Sequence, residues 1–151
     1  MALRKIVLSD DEVLRKKSKE VTEINDKIKQ LLDDMAETMY ADNGAGLAAP
    51  QVGILKRLVV IDMGQGLIKL VNPVIVETEG QQEVVEGCLS IPNVYGKLTR
   101  PATVTVQALN EKGEEIRLTG TGDLAKCFCH EIDHLNGILF TDMVTEYLKR
   151  K

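Results

Sequence analysis

Both histidines of this 151-residue chain lie within one short segment, His130-Glu131-Ile132-Asp133-His134. The segment is an H-E-x-x-H motif. On an α-helix, side chains four residues apart lie on the same face, so the two imidazoles can bind one divalent metal ion between them. Glu131 follows about 100° further round the helix, where its carboxylate can reach a water molecule beside the metal. The motif therefore predicts a helix that carries a metal site and a general base.

The residues around the motif predict that this helix is amphipathic. Its apolar side chains form one arc on the side opposite the histidines, made of Leu124, Ala125, Phe128, Ile132 and Leu135. Such a stripe is typical of a helix face that packs against a hydrophobic core. Gly137 suits a C-terminal cap. We expect the helix to run from about residue 123 to residue 136.

A third metal ligand is not evident from the motif alone. A catalytic metal site generally has three protein ligands and one open position. In one metalloprotease pattern, H-E-x-x-H-x-x-G-x-x-H, the third ligand is a histidine, but Phe140 stands at that position here. In the thermolysin-like pattern the third ligand is a glutamate well downstream, and Glu146 is the only glutamate that follows the motif. Neither of these two metalloprotease patterns therefore fits the chain well.

The three cysteines are the remaining soft ligands. Cys127 lies seven residues before His134, a distance of roughly 10 Å along a helix axis, and Cys129 points about 100° away from the histidine face. Cys88 is then the best remaining candidate from spacing alone. A lone cysteine is also often just a small buried apolar residue, so spacing leaves the third ligand open.

Three segments together resemble the signature motifs of the peptide deformylase family. They are GAGLAAPQ at residues 44–51, EGCLS at residues 86–90 and HEIDH at residues 130–134. They occur in the family's order, and the resemblance extends over essentially the whole chain. One position departs from many members, because Cys129 stands where glutamine is frequent. This position is not a ligand, so the departure concerns packing around the metal and sensitivity to oxidation.

The resemblance implies a function and a set of site residues. Peptide deformylases remove the N-terminal formyl group from formyl-methionine of nascent peptides and release formate. By this resemblance, Cys88, His130 and His134 bind the metal, and Glu131 is the general base. The side-chain N–H of Gln51 and the backbone N–H of Leu89 would stabilise the oxyanion. The backbone around Gly46 would bind the peptide substrate.

The resemblance also implies a cofactor, partners and a location. One divalent metal ion is expected, with iron(II) as the native ion by resemblance to bacterial members; a thiolate and two imidazoles also suit zinc, nickel and cobalt. N-formyl-methionyl peptides are the expected partners, with contact to the ribosome near the exit site. A net charge of −4 and a pI near 5.3 argue against nucleic-acid recognition. No apolar run reaches membrane-spanning length. Three cysteines without a disulfide framework fit the cytoplasm.

The remaining elements predict an α+β fold in a single catalytic domain, residues 1–151. Residues 25–41 read as an amphipathic helix capped by Asn25 or Thr22. Residues 58–61 read as a buried strand, residues 67–76 as one or two strands broken near Pro73, and residues 103–119 as a β-hairpin. This pattern lacks β-α-β alternation and favours antiparallel sheets. The resemblance places those sheets around a central helix that carries the HExxH motif.

Two other classes of function are compatible with parts of the pattern. A zinc metallopeptidase would use the same water and base to cleave an internal peptide bond. The Cys88 ligand and the short chain argue against it. A metal-binding protein without activity would need a fourth protein ligand to close the site, and no residue suggests itself for that position.

Overall fold

The computed structural model describes residues 3–148, which contain two α-helices and eight β-strands. The helices are α1 (Asp26–Ala41) and α2 (Gly122–Leu135). In chain order the strands are β1 (Gly46–Ala48), β2 (Leu58–Ile61), β3 (Ile68–Glu79), β4 (Gln82–Cys88), β5 (Ile91–Arg100), β6 (Thr103–Leu109), β7 (Glu115–Thr121) and β8 (Glu146–Leu148). All strand pairs in the two sheets are antiparallel, which confirms the expected α+β class. Across residues 3–148, no helix is long and apolar enough to cross a membrane.

Helix α1 forms where the sequence places a cap before an amphipathic segment. The side-chain oxygen of Asn25 accepts a hydrogen bond from the backbone N–H of Ile28 at 3.0 Å, so Asn25 is the cap and Thr22 is not. The predicted stripe is buried and packs on β1 and β2; it consists of Ile28, Leu31, Leu32, Met35 and Met39. The helix ends before Asn43, whose positive φ of 56° turns the chain into the glycine-rich segment.

The larger sheet has the strand order β1-β2-β3-β6-β7. Strand β2 is buried along its whole length, which explains its uninterrupted run of apolar residues. The predicted hairpin of β6 and β7 is confirmed. The predicted break near Pro73 is wrong, because β3 continues through it with a register shift between Val71 and Val74. Asn72 lies within this shift with a positive φ of 53°, and its side-chain amide forms hydrogen bonds with the N–H and the C=O of Val21, each at 2.8 Å.

The smaller sheet, in the order β4-β5-β8, was not predicted. Strands β4 and β5 form a tight hairpin in which Cys88 pairs with Ile91 across a turn made by Leu89 and Ser90. Pro92 is the second residue of β5. The alternation along β4 is hard to read from sequence because its inward side carries the polar Glu86 beside the apolar Val84.

Helix α2 is buried on both of its faces. Its apolar side chains pack against the larger sheet, as predicted; they are Ala125, Phe128, Ile132 and Leu135. On the opposite side His130, Glu131 and His134 are also buried, because the β4–β5 hairpin covers them. Gly137 follows the helix with a φ of 76°, and a Cβ there would lie 2.5 Å from the carbonyl oxygen of Arg15. The cap position therefore requires glycine.

Candidate metal centre and active site

Three residues predicted as metal ligands converge at the junction of α2 and the β4–β5 hairpin. The Nε2 atoms of His130 and His134 lie 3.3 Å apart, and the Sγ atom of Cys88 lies 3.4 Å from His134 Nε2. The ligand atoms of all three residues lie within 4.8 Å of one another. Helix spacing explains the histidine pair, while Cys88 arrives from the end of a strand in the other sheet.

The spacing of these donor atoms fits a divalent metal. Ligands bound tetrahedrally at about 2.0–2.3 Å lie roughly 3.3–3.6 Å from one another, and two of the three separations here are 3.3 and 3.4 Å. Burial lowers the pKa of His134 well below its usual value, with the neighbouring His130 adding to the effect, so its ring is neutral and offers a lone pair. Within residues 3–148 this trio is the one group of metal-type side chains found so close together.

Glu86 holds the ring of His130 from behind. Its Oε1 atom lies 2.7 Å from His130 Nδ1, so the carboxylate accepts the ring N–H and leaves Nε2 directed at the other two donors. Glu86 precedes Cys88 by two residues on β4, and side chains two apart on a strand share a face. A single strand therefore supplies both a candidate ligand and the carboxylate that orients a second one.

Arg100, from the far end of β5, neutralises this buried carboxylate. Its guanidinium donates two hydrogen bonds to Glu86, at 2.7 and 2.9 Å, and a third to Asp133 at 2.7 Å. Burial alone would raise the pKa of Glu86, but the hydrogen bonds from Arg100 and His130 outweigh it and lower the pKa to about 2. Glu86 is thus an anion at neutral pH. Asp133, on the motif helix, belongs to the same network.

Glu131 extends from α2 into the space next to the three donors. The residue is 4% exposed, and its Oε1 atom has no hydrogen-bond partner among residues 3–148. Burial raises its pKa to about 7, against an opposing effect of the neighbouring His130. A carboxylate with its pKa near neutrality, buried and with a free oxygen, is suited to take up and return a proton.

Gln51 reaches the centre from a short 3₁₀-helix, Ala49–Val52, that follows β1. Its Oε1 atom accepts a hydrogen bond from the backbone N–H of Ala48 at 3.0 Å, which fixes the orientation of the amide. Its Nε2 atom lies 3.5 Å from Cys88 Sγ and 3.2 Å from the hydroxyl of Ser90. The residue is 1% exposed, so its amide is part of the buried site.

A cavity of about 480 Å³ opens over the centre. All of the predicted residues except His134 line it, namely Gly46, Gln51, Cys88, Leu89, His130 and Glu131. Leu89 lies in the hairpin turn directly after Cys88. Gly46 opens β1, which is an edge strand of the larger sheet. A Cβ at Gly46 would lie 2.6 Å from Glu131 Oε2 and 2.9 Å from Cys127 Sγ, so the backbone approaches the helix as closely as glycine permits.

The other two cysteines both lie on the motif helix and are buried structural thiols. Cys127 and Cys129 are 7% and 5% exposed. Burial raises the pKa of Cys127 well above its usual value and that of Cys129 to about 11, so both remain protonated. Protonated buried thiols react slowly. Burial and protonation therefore argue against the sensitivity to oxidation that the sequence suggested at Cys129, and Cys88 is the most accessible of the three thiols.

Comparison with known proteins agrees with this geometry. The family model described as Polypeptide deformylase matches residues 3–150. Peptide deformylase 2 of Clostridium acetobutylicum is 71% identical over 99% of this chain and 100% of its own length. Peptide deformylase of Acetivibrio thermocellus is 62% identical over 98% of this chain and 87% of its own length.

Solved structures give the same result. A peptide deformylase from Legionella pneumophila superposes with a TM-score of 0.92 at 46% identity, over 95% of this chain and 86% of that one. A peptide deformylase from Synechococcus elongatus, solved in complex with actinonin, gives the same score and identity over 95% of this chain and 79% of that one. Motif order, fold and overall similarity thus agree, and the chain belongs to the polypeptide deformylase family.

Proposed function

We propose that this chain carries out the reaction of its family. It is a metal-dependent hydrolase that removes the N-terminal formyl group from formyl-methionine of nascent peptides and releases formate. The observation that carries the proposal is the convergence of a Cys-His-His donor set, a carboxylate of raised pKa and a side-chain amide at one open cavity, which all of these residues except His134 line. The family match and the related peptide deformylases support it, and nothing in them supports the metallopeptidase alternative.

Cys88, His130 and His134 are proposed to hold one divalent ion, with iron(II) as the native metal and zinc, nickel or cobalt as ions that also suit the donors. When bound, such an ion acts as a Lewis acid that polarises the formyl carbonyl and lowers the pKa of water from 15.7 toward about 7. A trio of donors with the spacing of a tetrahedral site supports this assignment. No fourth side chain of metal-binding type joins the trio within residues 3–148, which favours a catalytic site over a closed structural one.

Glu131 is proposed as the general base and acid. It takes a proton from the attacking water while the water oxygen bonds to the formyl carbon. The carbon–nitrogen bond then breaks, and Glu131 returns the proton to the leaving amine. Formate and a free amino terminus result. The raised pKa of Glu131 and its unpartnered oxygen atom support the role, since the group can hold the proton between the two steps.

Gln51 and Leu89 are proposed to stabilise the negative charge that develops on the formyl oxygen. The Nε2 group of Gln51 points toward Cys88, and Leu89 follows Cys88 in the hairpin turn. Donors on two sides of the ligand would meet the oxyanion as it forms. One such donor is typically worth about 3–4 kcal/mol in the transition state.

Gly46 is proposed to bind the peptide backbone. It lies at the start of an edge strand that borders the cavity, so an extended substrate can pair with it as an added strand.

We further propose that residues 1–151 form one catalytic domain, built around the HExxH helix α2. Its partners would be formylated peptides at the ribosomal exit site, without recognition of nucleic acid, and its location the cytoplasm. Free thiols at all three cysteines fit such a reducing compartment.

A substrate comparison tests the proposed function. Purified protein loaded anaerobically with iron(II) is mixed with formyl-Met-Ala-Ser, acetyl-Met-Ala-Ser and an unformylated decapeptide. We expect formate release from the first peptide only, and no internal cleavage of the decapeptide by mass spectrometry. Cleavage of the decapeptide without formate release would replace the proposal with the metallopeptidase alternative.

A further inference from the structure

The hydroxyl of Ser90 contacts the side chain of Gln51, the candidate oxyanion donor. Ser90 is the second residue of the turn between β4 and β5, and it is fully buried. Burying a hydroxyl costs free energy unless it makes a hydrogen bond. Its Oγ atom accepts a hydrogen bond from Gln51 Nε2 at 3.2 Å. The contact joins two segments that are 39 residues apart.

The Gln51 amide is held at both of its ends. Its oxygen accepts from the Ala48 N–H at 3.0 Å, and its nitrogen donates to Ser90. A planar NH₂ group has two N–H bonds in fixed directions. When Ser90 accepts one of them, the other is left to point along the line toward Cys88, whose Sγ atom lies 3.5 Å away. Ser90 therefore determines which way the second N–H is directed.

We propose that Ser90 is a positioning residue for deformylation, which aims the Gln51 amide at the formyl oxygen in the transition state. The inference rests on the proposed oxyanion role of Gln51. Without the Ser90 acceptor, the amide nitrogen would keep only its hydrogen bond to Cys88 Sγ at 3.5 Å. With Ser90 in place, both N–H bonds of the amide are directed before the substrate arrives. Donors fixed in advance are the ones that contribute most to transition-state stabilisation.

The backbone contacts of the two residues do not depend on the hydroxyl. The N–H of Val7 donates to the carbonyl of Gln51 at 2.8 Å, and the N–H of Ser9 donates to the carbonyl of Ser90 at 2.9 Å. The N-terminal segment thus holds both backbones in place. Removal of the Ser90 hydroxyl should therefore leave the fold and the hairpin intact and release only the amide.

A double-mutant cycle tests the proposal. Steady-state kinetics on formyl-Met-Ala are measured for the wild type, Ser90→Ala, Gln51→Leu and the double variant, each with measured metal content. Loss of one hydrogen bond predicts that Ser90→Ala lowers kcat by about 3–10-fold while KM changes less than about twofold. In the Gln51→Leu background the same substitution should have no further effect. Ser90→Cys, which keeps a weak acceptor of similar size, should fall between serine and alanine.

Ser18→Ala is the matched control. Ser18 is also buried, at 5% exposed, but its hydroxyl has no hydrogen-bond partner among residues 3–148. Its removal should leave kcat unchanged. The proposal is overturned if Ser90→Ala leaves kcat unchanged, lowers it equally in both backgrounds, or lowers it only in proportion to lost metal. If Gln51→Leu itself leaves kcat unchanged, the oxyanion role of Gln51 fails as well; if it lowers kcat and Ser90→Ala does not, only the inference on Ser90 fails.

Discussion

The Nδ1 atom of His130 lies 2.7 Å from Glu86 Oε1, in a contact from which solvent is almost wholly excluded. The ionised carboxylate accepts the Nδ1–H, which leaves Nε2 as the ring atom available to a metal ion. This atom faces His134 Nε2 at 3.3 Å. One hydrogen bond therefore sets the direction in which His130 Nε2 points.

Loss of this contact should weaken metal binding. Glu86→Gln keeps the shape of the side chain but removes its charge, which also leaves Arg100 with one fewer anionic partner. We expect the affinity for the metal to fall by about 10–100-fold. Competition with a chelator measures it. Glu83→Gln, on the exposed side of the same strand, is the control and should bind metal normally. Equal affinity in the two variants would contradict the role given to Glu86.

The sequence located the motif helix because its two periodicities agree. The histidines repeat at four residues on one side, and the apolar stripe from Ala125 to Leu135 repeats on the other. The helix α1 and the β6–β7 hairpin were found for the same reason, since each has one buried face and one exposed face. The sequence predicted that strand β3 is interrupted and ends at residue 76, whereas it continues to Glu79. Proline usually interrupts a strand unless a bulge accommodates it.

The parts that sequence reasoning missed depend on contacts between distant segments. Glu86 opens the EGCLS motif, and its two-residue spacing from Cys88 was the available signal. Arg100 gave no local signal, because its partners Glu86 and Asp133 lie 14 and 33 residues away. Ser90 likewise acquires its role only when the hairpin turn meets the segment of Gln51. The family resemblance supplied Cys88 as a ligand, which helix spacing alone had left open.

Metal stoichiometry distinguishes Cys88 from the other cysteines. The wild-type protein should bind one metal per chain. Cys88→Ala should lose it, because two imidazoles remain from a set of three donors. Cys129→Ala should keep it, since Cys129 is buried beside the network and its thiol remains protonated. Elemental analysis of the two variants gives the answer, and full metal content in Cys88→Ala would refute the ligand assignment.

Glu131→Gln separates metal binding from catalysis. The amide has the same shape but cannot accept a proton, so the metal should stay bound while kcat falls at least about 10²-fold. The variant relieves the burial of a carboxylate whose pKa is raised to about 7, so its thermal stability should not decrease. Kinetics on metal-replete protein are required here. A variant that turns over at close to the wild-type rate would remove Glu131 from the mechanism.

The loss of activity in air should identify the native metal. Cys88 is the half-buried thiol of the three, and a thiolate next to iron(II) is open to oxidation. Activity of the iron form should decay in air, while nickel and cobalt forms should persist. Substitution of Cys127 by serine should not slow the decay, because that thiol is buried and protonated. Iron and nickel forms of equal stability in air would count against iron(II) as the native ion.

Gly46→Ala should affect both substrate binding and chemistry. The glycine lies on an edge strand beside the cavity, so crowding it should raise KM more for a formylated tripeptide than for formyl-Met-Ala. The new Cβ would also lie 2.6 Å from Glu131 Oε2, so the carboxylate must move and kcat should fall for both peptides. Gly53→Ala is a control in open space, although its φ of 83° adds backbone strain of its own. It should leave both constants unchanged. If Gly46→Ala also left kcat unchanged, the close approach of β1 to Glu131 would have no part in placing the base.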